Sequence, residues 1–157
     1  MTNKEIKISY KEYETIDQLD QKDQELVQAA IEATKLSYAP YSNFNVGAAV
    51  MFTDGVIVKG ANQENAAYPS GICAERTALF YASASRPDKI MSGIAIAASQ
   101  NGQLLPSPVS PCGACRQVMA QYQTKSGIPM QILLVGSEKI LKFEKVEDLL
   151  PLIFDSI

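Results

Sequence analysis

Apolar and polar positions change period several times along the chain, and each change marks an element. In KEIKISYKEYE, Ile6, Ile8 and Tyr10 alternate with polar residues, the period of a strand. From about Asp20 the period lengthens. Leu26, Val27, Ala30, Ile31 and Thr34 recur at three and four residues, which predicts an amphipathic helix. Pro40 in SYAPYSNF breaks it. NVGAAVMFTDGVIVKGAN reads as two strands joined at Asp54-Gly55, because Asp-Gly between apolar runs is a strong hairpin signal. A helix is predicted from Cys73 to about Ser85, and IMSGIAIAAS as a buried strand. A loop holding Pro106 and Pro108 follows, then a second helix from near Cys112 to about Tyr122. MQILLV reads as another buried strand, and VEDLLPLIF as a terminal helix interrupted by Pro151. Strands alternating with helices predict a three-layer α/β domain. With 157 residues and no repeat, low-complexity tract or linker, one domain over 1–157 is expected.

Composition narrows the function. Hydrophobic residues make up 46%, enough for a core, and charged residues only 20%, which excludes a disordered tail protein. The net charge is -3 and no basic stripe occurs, which argues against nucleic acid as a partner. The N-terminus, MTNKEIKISYKEYE, is charged throughout and resembles no secretion signal. No apolar run is long enough to cross a bilayer, so no membrane partner and a cytoplasmic location are expected. The absence of histidine removes every imidazole base and every His-ligated metal. The three cysteines are an odd number, a poor basis for a disulfide framework.

All three cysteines fall in two short motifs, CAERTALF (73–80) and PCGACRQ (111–117). Three thiolates suit zinc, and three protein ligands with a fourth position left for water is the arrangement of a catalytic rather than a structural zinc. Cys73 and Cys112 each open a predicted helix, where the dipole lowers a thiol's pKa. Glu75, one half-turn on from Cys73, can carry protons at the metal's open position. Arg76 can hydrogen-bond a thiolate and withdraw charge from an electron-rich three-sulfur site. Taken singly, each residue has a plainer reading. CGAC can be a redox pair or a structural-zinc half-site, Cys73 a buried small hydrophobe, Glu75 a solvated first-turn acid and Arg76 a surface ion-pair partner. The combination is more specific. C-x-E followed by P-C-x-x-C, with 36 positions from Glu75 to Pro111, is the pattern of zinc deaminases with Cys in place of His.

With these motifs the chain resembles the small, homotetrameric cytidine deaminases. The resemblance runs from about Leu26 to Phe154 and rests on YAPYSNFNVGAAV, GANQENAAYPSGICAERTAL and SPCGACRQVM. It implies a three-layer α/β/α sandwich: a central mixed sheet of about five strands with helices on both faces. It also implies hydrolysis of cytidine and 2′-deoxycytidine to the uridines with release of ammonia. Carried over by position, Cys73, Cys112 and Cys115 match the ligands of one Zn²⁺ per subunit, and Glu75 the proton shuttle. Asn62 and Glu64 match residues that hold the ribose 3′-hydroxyl, Phe44 an aromatic against the pyrimidine, and Ala74 a backbone contact to the base. Phe154 matches a C-terminal aromatic that reaches a neighbour's active site, so a tetramer with shared sites is implied. Residues 1–20 exceed the family's minimal pattern and are expected to form an added strand or arm. Three rivals stand beside this reading: the same chemistry on another aminopyrimidine nucleoside such as blasticidin S; a deaminase acting on nucleic acid, against which the acidic composition argues; and a non-catalytic zinc-stabilised assembly protein, which would have no use for Glu75.

Overall fold

A ten-residue strand of mostly small apolar residues, β4 (Met91–Gln100), runs through the middle of the sheet and is buried except at Ser92, which is half-buried, and Gln100. The computed structural model describes residues 1–155; the last two, 156 and 157, lie outside the described residues. On one side β4 pairs antiparallel with β2 (Asn45–Phe52), which turns at Asp54-Gly55 into β3 (Ile57–Ala61). On the other side it pairs in parallel with β6 (Gln131–Val135), which pairs with β7 (Ile140–Phe143). A short strand, β1 (Lys11–Tyr13), borders β7, and a two-residue strand, β5 (Gln103–Leu104), folds back on β4. The order is β1-β7-β6-β4-β2-β3, a mixed sheet of seven strands among the described residues, of which five have four residues or more.

Helix α1 (Gln21–Ala33) covers one face, burying Leu26, Val27 and Ala30 against Ala49, Met51, Ala95, Ala97, Leu133 and Val135. Helices α2 (Ala74–Ser85) and α3 (Gly113–Ser126) cover the other, against Ala48, Val50, Phe52, Ile94, Ile96, Ile132 and Leu134. Alternate residues of β2, β4 and β6 therefore point into two different cores, which is why these strands read as nearly continuous apolar runs. The chain is the α/β/α sandwich that the alternation of elements predicts. Two glycines let the helices approach the sheet closely. A Cβ at Gly47 would collide with the backbone of Ala30 in α1, and one at Gly60 with that of Ala78 in α2.

Three local expectations are corrected. The N-terminal alternation does not pair at Ile6–Tyr10; residues 1–10 are exposed and pairing starts at Lys11, because β7 offers only four residues to pair with. The terminal helix is absent. Only Val146–Asp148 form a single 3₁₀ turn, and the chain then follows an irregular, bent course with Leu149, Leu150 and Ile153 against the α2/α3 core. Pro151 explains this, since it lacks an N–H and disfavours a helical Leu150. The proline loop begins with a hairpin into β5 at Asn101-Gly102, both with positive φ (53° and 76°).

Candidate active site

Cys73 and Cys112 are the N-cap residues of α2 and α3, and neither side chain caps its own helix. Their thiols are left free to turn toward each other. Cys115, fully buried in the first turn of α3, completes the group. The three sulfurs lie within 4.8 Å of one another, with Cys112 and Cys115 3.4 Å apart. A tetrahedral zinc with Zn–S bonds of ~2.3 Å would hold its sulfurs ~3.8 Å apart. The observed spacing fits that ion, and so does the donor set of three soft sulfurs at two helix N-termini.

The protons are unevenly held in this cluster. A hydrogen bond from the Cys115 thiol, then the Arg76 guanidinium, holds Cys73 down to about 5. Cys115 is pushed up, by its bond to Cys73 and by burial. Arg76 approaches Cys73 Sγ with Nη2 at 3.8 Å, and its buried Nε has no partner among the described residues. Glu75 is 5% exposed, and burial drives its carboxyl upward. It sits in the first turn of α2, two residues after Cys73, and the charge of Cys73 raises its carboxyl further. A carboxyl raised by burial next to a metal-ligand set is suited to taking up and releasing protons.

The cluster reaches a cleft of about 520 Å³ through Cys73; Glu75, Cys112 and Cys115 lie behind its lining. Cys73, Arg76, Asn62, Glu64, Ile72 and Tyr68 are among its lining residues. Asn62 also holds the protein together. Its Oδ1 accepts from the Val46 N–H at 2.8 Å and from the Ser37 hydroxyl at 2.6 Å, and its Nδ2 donates to the Phe44 carbonyl at 2.9 Å. An asparagine amide has two acceptor sites and two donors, so one N–H is left over. Glu64 accepts from the Tyr41 N–H at 2.8 Å, the Ser42 N–H at 3.3 Å and the Ser42 hydroxyl. The Ser42 hydroxyl bond holds its carboxyl below the ordinary range. Of about four lone-pair sites, one remains. A spare donor on Asn62 and a spare acceptor on Glu64 match a hydroxyl, which both accepts and donates.

The structure brings together Cys73, Glu75, Arg76, Cys112 and Cys115, with Asn62 and Glu64 on the adjoining cleft wall. Ala74 is fully buried at the start of α2, between Cys73 and Glu75. Phe44 is half-buried just ahead of β2 and is not among the cleft-lining residues. Phe154 is 68% exposed, also off the cleft, with its carbonyl held by Gln117 Nε2 at 2.7 Å. The supporting residues Ser37 and Ser42 escape the sequence reading. The turn-forming string YSNF was the only signal, and it does not say which groups the turn serves.

Comparison with known proteins agrees with this geometry. The sequence model described as "Cytidine and deoxycytidylate deaminase zinc-binding region" matches residues 20–130. A cytidine deaminase of Halalkalibacterium halodurans is 50% identical over 99 residues, which are 62% of this chain and 70% of that protein. One of Sporosarcina psychrophila is 40% identical over 128 residues, 82% of this chain and 88% of that one. The crystal structure of a cytidine deaminase from Burkholderia pseudomallei superposes with a TM-score of 0.69 at 38% identity, covering 83% of this chain and 97% of that one. With three thiols gathered at two helix starts, a buried carboxyl beside them and a match across both cysteine motifs, the chain belongs to the cytidine and deoxycytidylate deaminase zinc-binding family.

Proposed function

We propose that this chain hydrolyses cytidine and 2′-deoxycytidine to uridine and 2′-deoxyuridine, releasing ammonia. The observation that carries the reading is the buried Glu75 carboxyl beside three clustered sulfurs, at the end of a cleft with a donor–acceptor pair for a sugar hydroxyl. Cys73, Cys112 and Cys115 hold zinc, which when bound supplies a Lewis acid that makes water a nucleophile at neutral pH. Asn62 and Glu64 grip the ribose 3′-hydroxyl, and the Ala74 backbone meets the base. Glu75 takes the proton of the attacking water and delivers it to N3 of the pyrimidine. It then takes the second proton of that water and passes it to the amino nitrogen on C4; the C–N bond breaks, ammonia leaves, and the oxygen from water stays on C4 as the carbonyl. One buried carboxyl thus serves both transfers, and the missing histidine costs nothing. Arg76 draws charge from Cys73.

The rest of the reading extends to the assembly. The chain acts as one catalytic domain in a homotetramer, in pyrimidine salvage in the cytoplasm, where a reducing environment keeps such thiols free. Phe44 packs on the pyrimidine, and Phe154 reaches a neighbouring subunit's site. The high exposure of Leu152 (82%) and Phe154 (68%) supports a partner for the C-terminal segment. The test is Glu75→Gln, which keeps size but cannot shuttle protons. General acid-base steps are worth roughly 10²–10⁴-fold, so kcat falls by at least that range with zinc retained; near-normal kcat overturns the assignment. Mixing Glu75→Ala with Phe154→Ala chains checks the shared site. Recovery of high-affinity turnover in mixed tetramers supports it, and the mere average of the parents refutes it.

A further inference from the structure

Residues 4–12, KEIKISYKE, serve no part of the cleft. They lead into β1, the edge strand, whose one neighbour among the described residues is β7. Ahead of β1, Ile6, Ile8 and Tyr10 are 61%, 49% and 55% exposed. The Tyr10 ring lies 5.3 Å from that of Phe143, which belongs to the α2/α3 core. Tyr10 therefore joins that apolar face at the end of the sheet, and the two-residue alternation sets Ile6 and Ile8 on the same side when the segment is extended. An apolar, unpaired edge is one that natural sheets avoid or cover.

We propose that the cover is a second copy of the same segment, paired antiparallel about a two-fold axis at Ile8. The sequence singles out this register. Only registers that set even positions opposite even ones keep both copies' apolar residues on one face. With Ile8 opposite Ile8, Ile6 faces Tyr10, Lys4 faces Glu12, Glu5 faces Lys11 and Lys7 faces Ser9. Two-fold symmetry makes each unlike pair occur twice. Moving the axis to position 7 sets Lys7 against Lys7. Moving it to position 9 sets Lys7 against Lys11 and Ile6 against Glu12. Opposite charges directly across a strand pair favour it, and like charges oppose it. The central register pairs every acid with a base and places no like charges opposite each other.

Charges already in the fold extend the pattern. Lys11 bonds Glu144 at 2.8 Å and Glu12 lies 3.7 Å from Lys139. Glu5 and Lys4 of the other copy then flank Lys11 and Glu12 on their open side, forming alternating rows. Lys4, Glu5 and Lys7 make no ion pair within the chain among the described residues, so they are available for it.

Position-specific disulfide formation in the zinc-loaded, full-length protein tests this, with oxidised glutathione taking the two electrons. Directly opposed residues have Cβ atoms about 4.5–5.5 Å apart, within reach of a disulfide after small adjustment. The Ile8→Cys protein is expected to cross-link to itself at least about tenfold faster than the Ile6→Cys protein, whose own twin lies about 13 Å away along the strand. A mixture of Ile6→Cys and Tyr10→Cys chains should cross-link where neither does alone. Adding Glu5→Lys to Ile8→Cys should slow the reaction by setting Lys against Lys11. Equal rates at positions 6 and 8, no cross-link at position 8, or no effect of Glu5→Lys would overturn the proposal. An edge covered by another molecule, or by solvent alone, gives the second of these results.

Discussion

Replacing Asn62 by alanine separates two roles that one side chain performs. The change removes the bonds to Val46 N–H, Ser37 Oγ and the Phe44 carbonyl, which tie the start of β2 to the end of β3. Each hydrogen bond contributes roughly 0.5–1.5 kcal/mol net, so three amount to about 1.5–4.5 kcal/mol. Asn62 is half-buried on a cleft wall, so water can replace part of the loss and the lower end, ~2 kcal/mol, is expected. At about 2–4 °C per kcal/mol for a chain of this size, the thermal midpoint falls by roughly 4–8 °C. Calorimetry on the zinc-loaded protein reads this directly. The remaining N–H of Asn62 gives a second, independent readout. The parent should prefer cytidine over 2′,3′-dideoxycytidine, which lacks the 3′-hydroxyl, and Asn62→Ala should lose roughly 2–10-fold of that preference. A midpoint within about 1 °C of the parent would refute the structural account. An undiminished preference for the 3′-hydroxyl would refute the ribose contact.

Arg76→Gln removes the guanidinium from Cys73 Sγ. Loss of such an outer partner weakens metal binding by roughly 10–100-fold, which a competition titration with a chelator would measure; unchanged affinity would make Arg76 a packing residue. Arg86 bonds both Asp54 oxygens at 3.0 and 2.9 Å and holds that carboxyl down to about 2 from an ordinary 3.8. A depressed folded-state value means this pair stabilises the fold above pH about 4 and is lost as pH falls through about 2. NMR titration should find Asp54 near 2 in the parent and returning toward 3.8 in Arg86→Gln.

Much of this was legible in the chain, for identifiable reasons. The two helix starts at Cys73 and Cys112 announce themselves by apolar periodicity and by Pro111, and the zinc ligands by their count and spacing. The hairpin at Asp54-Gly55 follows from local turn chemistry. So does the one at Asn101-Gly102, an equally strong dipeptide that stands just ahead of the proline loop. What stayed hidden depends on distant partners. VEDLLPLIF has helical spacing, yet beyond one 3₁₀ turn Leu149, Leu150 and Ile153 lie irregularly against a surface made by α2, α3 and the sheet, and Pro151 decides the outcome. The alternation at Ile6–Tyr10 is that of a strand, but nothing local tells that β7 is too short to pair with it. The structural duty of Asn62 rests on groups 16 to 25 residues away.

The central claim is that three thiolates and one buried carboxyl make a deaminase of this chain. Purified protein carrying one zinc per chain should be incubated with cytidine while absorbance and ammonia are followed together. Loss of the cytidine band with one ammonia released per uridine formed is the predicted result. Zinc-loaded, folded protein that leaves cytidine and 2′-deoxycytidine untouched would contradict it.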